Sequence, residues 1–229
     1  ERLGAEGIQS VSRRPIVIPL ADAGEIEFKR RTANYGDFGK MNARWNSAKS
    51  TTTHERLSAH PEEWEHYHSL YRDLRKEWVV IPFEETIKGL SDRDGYVVGD
   101  FGCGEAMIAE RLDGICTVHS FDHVAVNDFV TDCDMSDVPL DDGELDVAVF
   151  SLSLMGANFT DYLKEAHRTL KLDGTLHIWE STSRFGDREQ FVSDLKTLGF
   201  SGIDVEDEWK FTHITATKRT ANPRRAVET

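Results

Sequence analysis

The chain has 229 residues, enough for one large core or one core with a small appendage. Hydrophobic residues make up 39% and aromatics 10%, which excludes wholesale disorder. The formal net charge is −14, and its distribution is uneven: ten Lys and Arg against seven Asp and Glu through residue 60, then twelve against 25 from Gly95 onward.

The acidic second region would repel a phosphate backbone, so a nucleic-acid substrate would need attraction from elsewhere. Three cysteines, Cys103, Cys116 and Cys133, form no CxxC pair, which argues against a zinc cluster and for a reduced compartment. No apolar run reaches the roughly 18 residues of a membrane helix, and no opening resembles a signal peptide. A cytoplasmic setting, or a nuclear or nucleolar one in a eukaryote, is therefore expected rather than secretion. The first residue is Glu1 rather than Met, which predicts a piece excised from a longer chain.

Residues 1–52 contain Pro15, Pro19, scattered glycines and the polar run Ser47 to Thr53. They read as an irregular, partly basic arm with a strand at Ile16 to Leu20. A helical extension is expected over 53–94, with Thr53 to Glu77 helical and broken at Pro61. Trp64, Tyr67, His68, Tyr71, Leu74 and Trp78 recur at three- and four-residue spacing and give one aromatic stripe. Pro61 followed by two glutamates is a good helix opening.

From residue 95 to 218 strands and helices alternate, with a tail over 219–229. Strands are predicted at Tyr96–Phe101, Thr117–Phe121, Phe129–Thr131, Leu145–Phe150, Thr175–Trp179, Gly202–Asp207 and Phe211–Thr217. Helices are predicted at Ala106–Leu112, Thr160–Leu170 and Arg188–Leu198. The run Val147-Ala148-Val149-Phe150 is apolar on both faces, as a central strand covered by helices must be. The pattern is an α/β fold: an open, mostly parallel seven-stranded sheet with flanking helices and a hairpin-like pair at its end. Only six residues separate Asp122 from Phe129, too few for a helix between the second and third strands.

The first strand ends in Gly99-Asp100-Phe101-Gly102-Cys103-Gly104-Glu105. Such a glycine turn lets backbone approach a ligand without an intervening Cβ and leaves N–H groups free at a helix start. A dinucleotide loop would read G-x-G-x-x-G, but its third position here is Met107. Asp122 follows Gly102 by twenty positions, where a carboxylate at a strand tip can accept from both ribose hydroxyls, or cap a turn. After the third strand, Asp134 and Met135 could bracket an adenine ring, or belong to a solvated acidic loop. After the fourth, Ser151-Leu152-Ser153-Leu154-Met155-Gly156-Ala157-Asn158 is small and apolar, which suits a methionine-like arm or a planar base. There is neither the Asn/Asp-Pro-Pro-aromatic signature of exocyclic-amine methylation nor a Pro-Cys pair for attack on a pyrimidine C6.

These residues, with Val138-Pro139-Leu140, Asp146-Val147-Ala148-Val149-Phe150, Glu165-Ala166-x-Arg168, Glu180-x-x-Ser183-Arg184-Phe185 and Leu198-Gly199-Phe200, resemble the nucleomethylin family. The likeness is strongest over 97–185 and looser over Asn42-Ala43-Arg44-Trp45-Asn46, Tyr67-His68 and Lys76-x-Trp78. Its members are Rossmann-like class I methyltransferases that use S-adenosylmethionine and act on N1 of adenine in large-subunit ribosomal RNA. The resemblance implies that Asp100, Gly102, Gly104 and Asp122 hold the cofactor's amino-acid and ribose parts. Asp134 and Met135 would address its adenine, Ser151 and Leu152 would line the methyl-donor side, and His68 would reach over it from the upstream helix. No metal is implied.

For the substrate side the candidates are Asn158, Glu180, Arg184 and Phe185, which follow the fourth and fifth strands; Phe185 could stack on a base and Arg184 could take a phosphate. The grip on nucleic acid, with RNA expected, would come from Arg30, Arg31, Lys40, Arg44 and Lys49, interleaved with Tyr35, Phe38 and Trp45, or from a missing partner domain. Adaptation to high salt would also account for the acidic surface. Alternatives of a different class are methylation of DNA, a small molecule or a protein, and a non-catalytic cofactor-binding module.

Overall fold

The computed structural model describes Gly24, Glu27, Arg30 and residues 32–220. The strand expected at Ile16 to Leu20, Arg31 and the tail beyond Thr220 lie outside the described residues. Two units are present, one ending at Asn34 and one beginning at Tyr35. In the first, Arg30 Nη2 pairs with Glu27 Oε1 at 2.7 Å, one helical turn away.

The second unit opens with three helices, α1 (Phe38–Ser47), α2 (Ser50–Ala59) and α3 (Pro61–Arg75). Asp37 caps α1 by accepting from the Lys40 N–H at 2.9 Å. Pro61 opens α3 at its first position, with Glu62 and Glu63 in the first turn. Helix α1 and the first three residues of α2 replace the irregular chain expected up to residue 52, and the rest of α2 is the helical piece expected before Pro61. What makes them helical is burial: Met41, Trp45 and Leu57 pack with Trp64 and Tyr67 of α3. Glu63 is fully buried beneath them and receives Arg44 at 2.5 Å and Arg56 at 2.7 Å. Arg44 and Trp45 thus serve the packing of these helices, whereas Lys40 and Lys49 of the basic-aromatic segment are exposed.

Helix α4 (Pro82–Leu90) falls within the helical extension expected over 53–94, beyond its stretch Thr53 to Glu77, and Pro82 with Glu84 and Glu85 carries the same opening signal as Pro61. The sheet then follows: β1 (Val97–Phe101), α5 (Met107–Arg111), β2 (Thr117–Asp122), β3 (Val130–Asp132), β4 (Leu145–Ser151), α6 (Phe159–Thr169), β5 (Leu170–Ser181), α7 (Arg188–Thr197), β6 (Phe200–Glu208) and β7 (Phe211–Lys218). The spatial order is β3-β2-β1-β4-β5-β7-β6. Strand β7 runs antiparallel to both its neighbours and all other pairs are parallel. No helix separates β2 from β3.

Strand β4 divides its side chains as its sequence requires. Ala148 and Phe150 join the core with Tyr162 and Leu163 of α6, while Val147 and Val149 join the core with Phe83 of α4 and Ile108 of α5. Strand β5 is longer than expected because it continues directly from α6; the pairing with β4 jumps from Leu145↔Leu170 to Val147↔Thr175. Among the described residues no helix is long and apolar enough to cross a membrane.

Candidate active site

The site is built where β1, β2, β4 and β5 end, the edge at which open α/β sheets bind ligands. After β1 the chain turns through Gly102 (φ +75°), Gly104 (φ +59°) and Ala106 (φ +59°). The N–H groups of Gly102 and Cys103 donate to the Phe121 carbonyl at 2.8 and 2.9 Å. The Gly104 N–H donates to Asp122 Oδ2 at 2.8 Å. Glycine is required on steric grounds as well as for its φ. A Cβ on Gly102 would stand 2.4 Å from Ser153 Cβ, and one on Gly104 would stand 2.9 Å from His68 Cε1.

Asp122 at the tip of β2 joins this turn to the helices above it. Its Oδ1 accepts from the Trp64 indole N–H at 2.7 Å, and the Trp64 ring stacks on His68 with centroids 3.7 Å apart. His68 is held over Gly104, where burial lowers its pKa against the opposing pull of Asp122 and Glu105.

Between the strand tips and α1–α3 lies a cavity of about 560 Å³. His68, Asp100, Gly102, Gly104 and Asp122 line it, together with Met135, Ser151, Leu152, Glu180 and Arg184. Asp100 is buried, and its Oδ1 has no hydrogen-bond partner among the described residues. Burial, aided by the charge of Asp122, raises its pKa to about 7. A buried acceptor facing no donor calls for a ligand that carries one.

Glu180 is buried too. Its Oε1 accepts from the Leu154 N–H at 2.8 Å, yet desolvation raises its pKa to about 7. Leu152 has φ +60° and donates its N–H to the Trp179 carbonyl at 2.8 Å. A non-glycine residue in that region costs about 1–3 kcal/mol, and such strain collects at functional sites. Arg184 donates to Asn46 Oδ1 and to the Leu154 carbonyl, so it is engaged by the protein rather than free for a phosphate.

Three candidate residues are not brought into the cavity. Asp134 Oδ1 accepts from the Ser136 N–H at 3.0 Å and from its hydroxyl at 2.9 Å, an Asx turn. Asn158 binds Ser50 on α2. Phe185 packs edge-on against Phe191 with centroids 4.9 Å apart and lines a smaller cavity of about 340 Å³ instead. Conversely, Glu105, Tyr71 and Lys210 line the main cavity unanticipated. Glu105 is positioned by Arg72 at 2.6 Å and Arg75 at 3.6 Å. Its place in the glycine turn was a usable signal; that of Lys210, more than 100 residues downstream, was not. Among the described residues no group of three or more His, Cys, Asp or Glu could hold a metal ion.

The sequence matches a family described as "Hypothetical methyltransferase" over residues 25–226. It is 35% identical over 204 residues to "Ribosomal RNA-processing protein 8" of Arabidopsis thaliana, covering 86% of this chain and 69% of that protein. It is 47% identical over 135 residues to the Caenorhabditis briggsae protein of the same name, covering 58% of this chain and 41% of that one. It is 38% identical to "25S rRNA (adenine(645)-N(1))-methyltransferase" of Schizosaccharomyces pombe, covering 72% of this chain and 58% of that protein. The chain spans about half the length of most of the curated relatives it matches.

Among solved structures, the fold is similar to Burkholderia thailandensis 1,6-didemethyltoxoflavin-N1-methyltransferase at a TM-score of 0.55 and 18% identity, covering 69% of this chain and 87% of that one. It is equally similar to a TehB-like methyltransferase from Corynebacterium glutamicum, at 0.55 and 19%, covering 69% and 100%. These confirm the class I methyltransferase architecture. By the extent of the family match and of the Arabidopsis relative, the chain belongs to the methyltransferase family of ribosomal RNA-processing protein 8.

Proposed function

We propose that this chain is an S-adenosylmethionine-dependent methyltransferase acting on N1 of adenine in RNA, ribosomal RNA in the first place. The observation that carries the reading is the placement of two buried carboxyls, Asp100 of β1 and Glu180 of β5, in one cavity. The name of the fission-yeast relative supports the choice of adenine N1 and of RNA. The names of the other relatives support a role in rRNA processing, which in a eukaryote implies the nucleolus.

The cavity fits the cofactor. Asp100 Oδ1 offers an unused acceptor to a cationic amine, and Gly102 and Gly104 keep the turn free of side chains. Asp122 accepts from Trp64, His123 and Gly104, and its Oδ2, with one donor among the described residues, keeps acceptor capacity for a ribose hydroxyl. Met135, Ser151 and Leu152 line the same cavity. When bound, S-adenosylmethionine supplies a methyl group on a positively charged sulfur, already activated for transfer.

What remains for the protein is chiefly alignment, which can supply much of the rate. Adenine N1 has its own lone pair, so no residue needs to deprotonate it before attack. The methylated base is cationic until it loses a proton, and Glu180, which lines the cavity with a pKa of about 7, is the group to take it. The target base must be unstacked to enter.

Labelled cofactor incubated with separate pools of rRNA, tRNA and DNA, followed by nucleoside analysis, tests this. Label in 1-methyladenosine of RNA is expected. Label confined to DNA, protein or small metabolites would overturn it.

A further inference from the structure

Three cations line the cavity among the described residues: Arg75, Arg184 and Lys210. Arg75 faces Glu105, and Arg184 is bound to Asn46 and the Leu154 carbonyl. Lys210 makes no ion pair and no side-chain hydrogen bond among the described residues. It stands in the two-residue turn Trp209-Lys210, closed by the Glu208↔Phe211 pair of β6 and β7. Because β7 lies between β5 and β6, the turn returns to the end of β5, and the Thr182 N–H fixes it by donating to the Lys210 carbonyl at 2.9 Å.

Trp209 occupies the first turn position at φ +55°, a conformation that glycine adopts freely and that strains any other residue. Burial does not explain the choice of tryptophan, since Trp209 is 42% exposed. Its surroundings are built for a flat ligand. The Lys210 ammonium lies 4.2 Å from its ring centroid. Its edge meets Phe211 at 5.8 Å, and Phe211 meets Trp78 at 5.0 Å. Phe211 and Trp78 both line the cavity, so a continuous row of aromatic rings leads from its wall to the surface. Of the hairpin's acids, Asp207 is neutralised by Arg188 at 2.9 Å.

We infer that Trp209 and Lys210 form a subsite for the nucleotide adjoining the methylated adenine, with the indole stacking that neighbour's base and the ammonium meeting its phosphate. The inference rests on the RNA reading above. An exposed aromatic ring paired with a cation that no carboxylate neutralises is the means by which proteins hold single strands, and it supplies local attraction that the acidic sheet region lacks. A base inside a duplex would not present its face, so the occupant is single-stranded RNA.

The test uses a short single-stranded RNA containing one adenine, with binding measured by titration and methylation measured in parallel. Trp209→Gly keeps the turn and removes the ring. It should raise Kd and KM for RNA roughly tenfold or more, with the loss falling on KM more than on kcat, while the melting temperature holds or rises. Lys210→Ala should lower the salt slope of RNA binding by about one. RNA methylation with an unchanged KM in a folded Trp209→Gly protein overturns the subsite and leaves the methyltransferase reading standing. A wild type that methylates no RNA overturns that reading, and the titration then decides alone: weaker RNA binding by Trp209→Gly supports the subsite, whereas equal or absent binding overturns it.

Discussion

Asn158 and Ser50, 108 residues apart in sequence, hold each other through two hydrogen bonds. The Asn158 side-chain oxygen accepts from the Ser50 N–H at 2.9 Å, and its amide donates to the Ser50 hydroxyl at 3.0 Å. Ser50 begins α2 and Asn158 immediately precedes α6, so this one side chain closes the start of α2 and ties it to the chain entering α6. Asn158→Ala leaves the buried Ser50 N–H unpaired and should cost about 2 kcal/mol, or roughly 5 °C in melting temperature. Turnover per folded molecule should be unchanged. Thermal unfolding alongside methylation at low temperature separates the two effects; a loss of kcat in a fully folded variant would return Asn158 to the chemistry.

Asp100 gives the cofactor site a pH dependence. In the free protein its pKa is raised to about 7, so the carboxylate that would hold a cationic amine is increasingly neutral below that value. Cofactor affinity should therefore fall as pH drops from about 8 to about 6, approaching tenfold per unit at the lower end. Asp100→Asn should bind weakly and with little pH dependence. Stability of the ligand-free protein runs the other way. A carboxyl with a raised folded pKa contributes fully below its unfolded value of about 4 and loses that contribution as pH rises through about 7. Calorimetry of binding and unfolding across this range measures both slopes.

Gly104 and His68 should be energetically coupled. Alanine at Gly104 must clear His68 Cε1 from 2.9 Å and hold φ +59°. The clash and the strain together should cost about 2–3 kcal/mol, whereas in a His68→Ala background only the strain of about 1 kcal/mol remains. Urea unfolding of the two single variants, the double variant and the wild type gives the coupling. Strict additivity would mean that the imidazole swings away freely.

Glu180→Gln keeps an acceptor for the Leu154 N–H but removes the group expected to receive the product's proton. Because the carboxylate also offsets the positive charge that develops on the base during transfer, single-turnover rates with RNA should fall by about 10–100-fold at neutral pH, and the rise in rate through about pH 7 should disappear. Cofactor affinity should be unaltered. An unchanged rate would assign Glu180 to structure alone.

Strand β4 was legible because Val147 to Phe150 must satisfy two cores at once, and only a central strand does that. The glycine turn and Asp122 were legible because a strand tip fixes where its last side chain goes, and both line the cavity. Past a strand end that rule stops: Asp134, Asn158 and Phe185 follow strands, but turn chemistry and helix packing direct them elsewhere. Helix α1 was opaque because Gly39 and Asn42 interrupt the good helix formers of Phe38-Gly39-Lys40-Met41-Asn42-Ala43-Arg44-Trp45; its register comes from Met41, Trp45 and the Arg44–Glu63 pair. Lys210 was beyond reach for a topological reason, since only the antiparallel insertion of β7 carries the last turn back to the cavity.

The bonds that join α1–α3 to the sheet span 58 residues from Trp64 to Asp122, 108 from Ser50 to Asn158 and 138 from Asn46 to Arg184. No early portion of the chain contains both the roof of the cavity and its floor. A growing polypeptide would expose the aromatic stripe of α3 throughout synthesis and acquire ligand affinity only after β5 has emerged, late and all at once. Such distant partners also make folding slow. Because the ligand would then recognise only the completed unit, each increment of binding energy would stabilise the whole of it.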